Sequence, residues 1–228
     1  THPELLKLLA SEFAAHDFDI RWFLSELAKS KTYQRSSVLP GEAEPPRESY
    51  AVAIEKRVSA EQLYWSVGIA TGRFDAVRRS IRKGLVDAKK PKEEIKAIDE
   101  ATPEELVAKS DELKTALADF KTNFGNGPKE PEVDFAPSVK GALYLMHEAK
   151  IQKCLESGSA TLVEDLLKEE NDQTAIDHLF LRLLTRKPTD EERQQLAPYL
   201  KENKERRSEA LANVAWAMLT STEFVVNH

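Results

Sequence analysis

Residues 175–192 read A-I-D-H-L-F-L-R-L-L-T-R-K-P-T-D-E-E, and this stretch decides the fold class. Its large apolar side chains recur at i, i+3, i+4, i+7 and i+8, the stripe of a helix that packs on a core; they are Ile176, Leu179, Phe180, Leu183 and Leu184. Arg186-Lys187-Pro188 then closes the helix with positive charge and a stop. Thr189 and Glu192 form the capping-box pattern that opens another helix. The stretch therefore predicts two successive helices joined by a short turn.

The same start signal occurs at three other places in the chain. Thr1 with Glu4, Ser59 with Gln62 and Thr102 with Glu105 all have the spacing of a capping box. Glycine is rare, at 8 of 228 residues, and the prolines fall between the periodic segments. We predict an all-α fold, an irregular multi-helix bundle that forms a single domain over residues 1–228.

Three further segments show apolar faces at helical spacing. Two faces lie on either side of a short corner at Asp17-Phe18-Asp19, and the segment from Ala210 to Leu219 is apolar nearly all round, which predicts a buried helix. The face before the corner comprises Leu5, Leu6, Leu8, Leu9 and Phe13, and the face after it comprises Ile20, Phe23, Leu24 and Leu27. The first two segments are thus predicted to be helices with an apolar face, and the third to be the most buried helix.

The middle of the chain carries narrower stripes, which suit a two-stranded helical hairpin. Pro91 is expected to kink or end the first arm, and Ala101-Thr102-Pro103 to make the turn. We predict a projecting antiparallel hairpin over residues 73–124. One stripe is Phe74, Val77, Ile81, Leu85 and Ala88, and the other is Leu106, Leu113, Leu117, Phe120 and Phe124. Two proline- and glycine-containing breaks interrupt the chain, at residues 36–47 and 125–137.

The overall composition excludes several classes of protein. The chain has 33 basic and 39 acidic side chains, a net charge of -6, and one cysteine. A single cysteine forms no internal disulfide and no four-cysteine zinc site. No apolar run approaches the ~20 residues of a membrane helix, and a nucleic-acid-binding protein is normally basic. We predict a soluble protein with no transmembrane segment and no nucleic-acid partner.

No catalytic or metal-binding motif stands out. The histidines have no zinc-type spacing, and we predict no metal or other cofactor in this segment. His147 and Cys154 lie seven residues apart on one helical face, with Lys150 between them. Two roles are open for Cys154: a thiolate favoured by nearby positive charge, or a small apolar side chain packed under the helix. His147 and Cys154 are thus weak catalytic candidates.

Residues 73–92 hold eight Lys and Arg side chains against Asp75 and Asp87, a local net charge of +6 against -12 for the remainder. This charge allows a docking surface for an acidic protein, an acidic glycan or lipid headgroups. The solvent-facing side of an amphipathic helix is the alternative. The candidate docking residues are Arg78, Arg79, Arg82, Lys83, Lys89 and Lys90.

Six blocks follow one another along the chain: H-P-E-L-L from His2, S-K-T-Y-Q-R-S-S from Ser30, R-V-S-A-E-Q-L from Arg57, P-S-V-K-G-A-L-Y-L-M from Pro137, L-F-L-R-L-L-T-R-K-P-T from Leu179 and E-F-V-V-N-H from Glu223. Together they resemble a family abundant in planctomycetes, the domain of unknown function 1553, also described as a planctomycete cytochrome-associated domain. Residues ~80–118 resemble nothing in the family's pattern, and the cysteines that many members carry before the fourth block are replaced by residues 131–135.

The resemblance carries expectations that the residues alone do not. It implies that the chain is the C-terminal portion of a longer extracytoplasmic protein, periplasmic or at the cell surface, whose upstream domains are its partners and sometimes carry c-type haem. It provides no catalytic residues. We therefore predict a non-catalytic structural or docking module of a secreted, haem-linked assembly. The alternative is an enzyme, an oxidoreductase partner or a glycan hydrolase, whose site is completed by an upstream domain.

Overall fold

The computed structural model describes residues 2–35, 49, 51–53, 56–125, 141, 143–145, 149–156 and 161–227. The chain divides into two compact units: unit 1 comprises residues 1–56 with residue 228, and unit 2 comprises residues 57–227. The single domain over residues 1–228 stays a prediction. The predicted breaks at residues 36–47 and 125–137 lie almost wholly outside the described residues.

The regular secondary structure of the described residues is helical apart from two short strands, which confirms the all-α fold class. The strands β1 (Lys56–Arg57) and β2 (Val226–Asn227) pair with each other. The helices are α1 Pro3–Ala15, α2 Ile20–Lys29, α3 Ala60–Ala70, α4 Arg73–Asp87, α5 Lys92–Asp99, α6 Pro103–Lys109, α7 Asp111–Phe124, α8 Ala149–Leu155, α9 Leu162–Leu167, α10 Asp172–Leu183, α11 Asp190–Glu202, α12 Arg207–Leu219 and α13 Thr222–Val225, with a 3₁₀ turn at Lys204–Arg206 before α12. Residues 141 and 143–145 are also helical.

Three of the four predicted capping boxes are present. Ser59, Thr102 and Thr189 each accept a hydrogen bond from the backbone three residues later, and the Gln or Glu at that position reaches back to the cap residue. These bonds satisfy backbone N–H groups that the first turn of a helix leaves unpaired. The fourth predicted box starts at Thr1, which lies outside the described residues. There the helix begins at Pro3 with His2 at the cap position.

Unit 1 contains α1 and α2 on either side of the predicted corner. Asp17 and Phe18 turn the chain with φ values of 51° and 59°, and Asp19 caps α2 by accepting from the N–H groups of Arg21 and Trp22. The corner is lined by rings: the Phe13 centroid lies 5.3 Å from that of Phe18 and 4.8 Å from that of Phe23, and His16 stacks on Trp22 at 3.4 Å. None of the residues of α1 or α2 is buried. The two predicted apolar faces thus meet at the corner through Phe13 and Phe23, which are both partly buried.

In unit 2, α12 is the central helix of the C-terminal half. It packs against α8, α9, α10 and α11, and it buries six side chains, which confirms the prediction of a buried helix over Ala210–Leu219. The periodic stripe of α10 is buried as predicted, with Ile176 and Leu179 fully inaccessible to solvent. These helices form one hydrophobic cluster with α3, α4, α6 and α7. Unit 2 therefore has a single continuous core.

Residues 73–124 differ from the predicted pair of arms. The first arm ends at Asp87, and α5 folds back against α4 through a turn that contains Lys89 at φ 53° and Pro91. The second arm breaks at Ser110, which caps α7 through the Leu113 N–H. Side chains of both stripes, among them Phe74, Val77, Leu106, Leu113 and Phe120, belong to the core of unit 2. Four helices form instead of two arms, because the breaking residues end each arm early and the core offers the stripes more apolar contact than a two-helix seam.

An arginine at the turn between α10 and α11 ties that turn to the C-terminal segment. Arg186 donates to both oxygens of Glu192, at 2.7 and 2.9 Å, and to both oxygens of Glu223, and its guanidinium lies 5.0 Å from the centroid of the Phe180 ring. The hydrogen bonds from Arg186 hold the pKa of Glu192 at about 2. The preceding residue, Thr185, has φ 55°, which is rare for a β-branched side chain. This charge cluster stabilises the C-terminal segment of unit 2.

Candidate functional site

Cys154 lies in α8, and its side chain is buried, with 7% of the residue exposed. Burial raises the pKa of the thiol to about 11, although the charge of Arg73 and a hydrogen bond with Thr71 both act to lower it. A thiol with this pKa is almost wholly protonated at neutral pH, and a protonated thiol is a poor nucleophile. His147 lies outside the described residues, so its predicted pairing with Cys154 stays a prediction.

Charged groups from three helices meet beside the thiol. Arg73 of α4 and Lys153 of α8 both pair with the Glu112 carboxylate of α7, and the Lys153 distance is 3.0 Å. Burial alone would raise the pKa of Glu112, but hydrogen bonding to Lys153 and the charge of Arg73 lower it overall. Tyr64 donates from its hydroxyl to the Leu113 carbonyl at 3.1 Å. Each of these polar groups therefore has a structural partner in unit 2.

The cavity next to this cluster is small. Its volume is about 30 Å³, and its lining includes Tyr64, Gly68, Arg73, Phe74 and Glu112. A volume of this size holds roughly one water molecule, whereas drug-sized ligands occupy pockets of ~300–1,000 Å³. The Cys154 cluster thus has the geometry of a packed, internally paired core region. Among the residues that the structure describes, no three His, Cys, Asp or Glu side chains form a group that could hold a metal ion.

The predicted basic docking residues lie on α4 and in the turn after it, and three of the six pair within the chain. Arg78 pairs with Asp75 and donates to the Ala101 carbonyl at 2.9 Å. Acidic side chains of α5 take up two more cations: Asp99 pairs with Arg82 at 3.0 Å, and Glu94 pairs with Lys90 at 3.9 Å. Arg79, Lys83 and Lys89 are exposed. The sequence count of +6 therefore overstates the charge that this face offers to a partner.

The surface that sequence reasoning missed lies in unit 1. Of the twelve exposed large hydrophobic residues in the described part of the chain, seven fall between residues 5 and 33. They include Leu6 at 70% exposure, Phe18 at 65%, Ile20 at 64% and Leu24 at 58%. The remaining three are Leu5, Leu8 and Tyr33. We call these seven residues the apolar surface of unit 1. The sequence shows that the helices have apolar faces, but it contains no signal that they are left uncovered.

An open cleft lies at the ends of the two helices of unit 1. Its volume is about 510 Å³, and its lining includes His2, Glu4 and Leu5 at the start of α1 and Thr32 and Arg35 beyond α2. Its walls bring the start of α1 close to the residues that follow α2. The cleft adjoins the apolar surface through Leu5, and the side chains that line it include one acidic and one basic group, Glu4 and Arg35.

None of the described helices combines the length and the apolar composition required to cross a membrane.

Comparison with known protein families confirms the resemblance that the sequence blocks indicate. The family model PSD1, described as "Protein of unknown function (DUF1553)", matches residues 1–200 of the chain. Neither the curated proteins nor the solved structures give a match. The matched range includes α1 to α10 and most of α11, and so covers unit 1 and the larger part of unit 2. The chain therefore belongs to the family described as protein of unknown function (DUF1553).

Proposed function

We propose that this chain is a non-catalytic helical docking module and that the apolar surface of unit 1 is its docking element. The observation that carries this proposal is the exposure of seven large hydrophobic side chains within residues 5–33. Soluble monomers rarely expose contiguous apolar patches larger than a few hundred Å², and larger patches mark interaction sites. A partner that covers this surface removes its unfavourable contact with water.

The backbone of the corner supports the same function. Asp17 and Phe18 both adopt left-handed φ values; aspartate adopts this conformation readily, whereas it costs a residue such as phenylalanine roughly 1–2 kcal/mol. The turn holds the exposed Phe18 ring edge-on against Phe13. A strained turn that presents an exposed aromatic ring is typical of a recognition surface, because strain of this kind concentrates at functional sites and aromatic side chains dominate binding energy.

The alternative of an enzyme site completed by an upstream domain has less support. Its candidate nucleophile, Cys154, is buried and protonated, and the cavity beside it holds about one water molecule. The charged groups around that cavity pair with one another. These observations favour a structural role for the cluster, as part of a rigid helical scaffold.

The wider setting of the module is part of the proposal and rests on the family. We propose that the parent protein is extracytoplasmic, that its upstream domains belong to the same assembly, and that any c-type haem is bound by those domains. The chain's own contribution is the folded scaffold of unit 2 and the apolar surface of unit 1.

Hydrogen exchange tests the docking function. In the dilute, isolated chain we expect the amides of α1 and α2 to exchange quickly, because neither helix has a buried residue. In the full-length parent protein the same amides should be protected at least tenfold, since docking covers the helices. Replacing Leu6 and Leu24 by glutamate in the parent should remove this protection without changing exchange in unit 2.

The matched control replaces two exposed leucines of unit 2, Leu143 and Leu181, which are 49% and 45% exposed. Their replacement by glutamate should leave α1 and α2 protected. Equal exchange rates for α1 and α2 in the parent and in the dilute chain would contradict the proposal, because nothing would then cover the surface.

A further inference from the structure

We draw no further inference here: the strongest candidate, the exposed apolar surface of unit 1, already belongs to the proposed docking function, and nothing in the structure shows what covers it.

Discussion

Glu192→Gln should destabilise unit 2 at pH 7, because it removes the charge of a carboxylate that Arg186 grips with two hydrogen bonds, at 2.7 and 2.9 Å. The substitution is nearly isosteric. Glutamine at this position also retains the capping box with Thr189, since either Glu or Gln can accept from the cap residue. The change therefore isolates the ion pair from the helix cap.

The lowered pKa of Glu192 determines how much stability the substitution is expected to remove. Its ordinary value is 4.5, and the hydrogen bonds from Arg186 lower it to about 2. At 1.36 kcal/mol per pKa unit, this corresponds to roughly 3 kcal/mol for a carboxylate shielded from water. The Glu192 side chain is 30% exposed, so solvent screening reduces the contribution. We expect a loss of about 1–2 kcal/mol in the free energy of unfolding.

The pH dependence provides an independent measurement. A carboxylate with a lowered pKa in the folded state stabilises the protein above its unfolded pKa and loses that contribution as the pH falls through the folded pKa. For Glu192 the loss extends from about pH 5 down to about pH 2. Glu192→Gln has no carboxylate to protonate, so its free energy of unfolding should fall less over this range than that of the parent chain.

Urea unfolding followed by circular dichroism at pH 7, 4.5 and 3 measures both effects. The matched control is Glu191→Gln on the same turn of α11, where the side chain is exposed. This variant should change the free energy of unfolding by less than 0.5 kcal/mol, as is usual for surface substitutions. If Glu192→Gln is no less stable than Glu191→Gln at pH 7, or loses as much stability on acidification as the parent chain, the ion pair does not contribute as argued.

Three further substitutions test the packing of unit 2. An added Cβ at Gly68 would lie 2.4 Å from the buried Phe74 ring, so Gly68→Ala should lower the free energy of unfolding by about 1–2 kcal/mol. At Gly84 an added Cβ would have no atom within 4 Å, so Gly84→Ala should raise the free energy of unfolding by about 0.5–1 kcal/mol. Urea unfolding measures both changes, and changes of the same sign would contradict this pair of predictions. Lys89 adopts φ 53°, a conformation that favours glycine, so Lys89→Gly should stabilise unit 2 by about 0.5–1 kcal/mol. A lower midpoint of urea unfolding in this variant would show that the backbone at Lys89 is not strained. Cys154 is buried and its pKa is raised, so at pH 8 it should react with a thiol reagent at least a hundredfold more slowly in the folded chain than in the chain unfolded by urea. Rapid reaction in the folded chain would instead support a reactive thiolate at Cys154.

Local sequence rules were sufficient for the helix starts and the buried faces. Ser59, Thr102 and Thr189 cap their helices because the bonds involved span only three residues, so the spacing contains all the information needed. The stripe on α10 and the apolar segment in α12 are buried because a periodic apolar face of that width requires a core. These elements were predictable because their cause lies within one helix.

The features that depend on distant parts of the chain were not predictable. Glu112 meets Arg73 and Lys153 only because three helices converge, 39 and 41 residues apart in sequence. The apolar stripes on α1 and α10 look alike in sequence, yet the stripe on α1 has no buried residue and the stripe on α10 is buried. The periodicity of a helix shows which side is apolar, but it does not show which other helix packs against that side. The predicted arms over residues 73–124 failed for the same reason: their stripes pack on the common core.

Three of the six blocks that carry the family resemblance meet in space within unit 2. The block from Arg57 supplies the Val58 N–H that donates to the Val225 carbonyl at 3.1 Å, in the block from Glu223. The block from Leu179 supplies Arg186, which pairs with Glu223 of that same C-terminal block. Three blocks that are far apart in sequence thus share one strand pair and one ion cluster. These three blocks therefore close the scaffold of unit 2 through contacts between segments that are distant in sequence. The blocks from His2 and Ser30 lie in unit 1 instead, where Leu5, Leu6 and Tyr33 belong to the apolar surface.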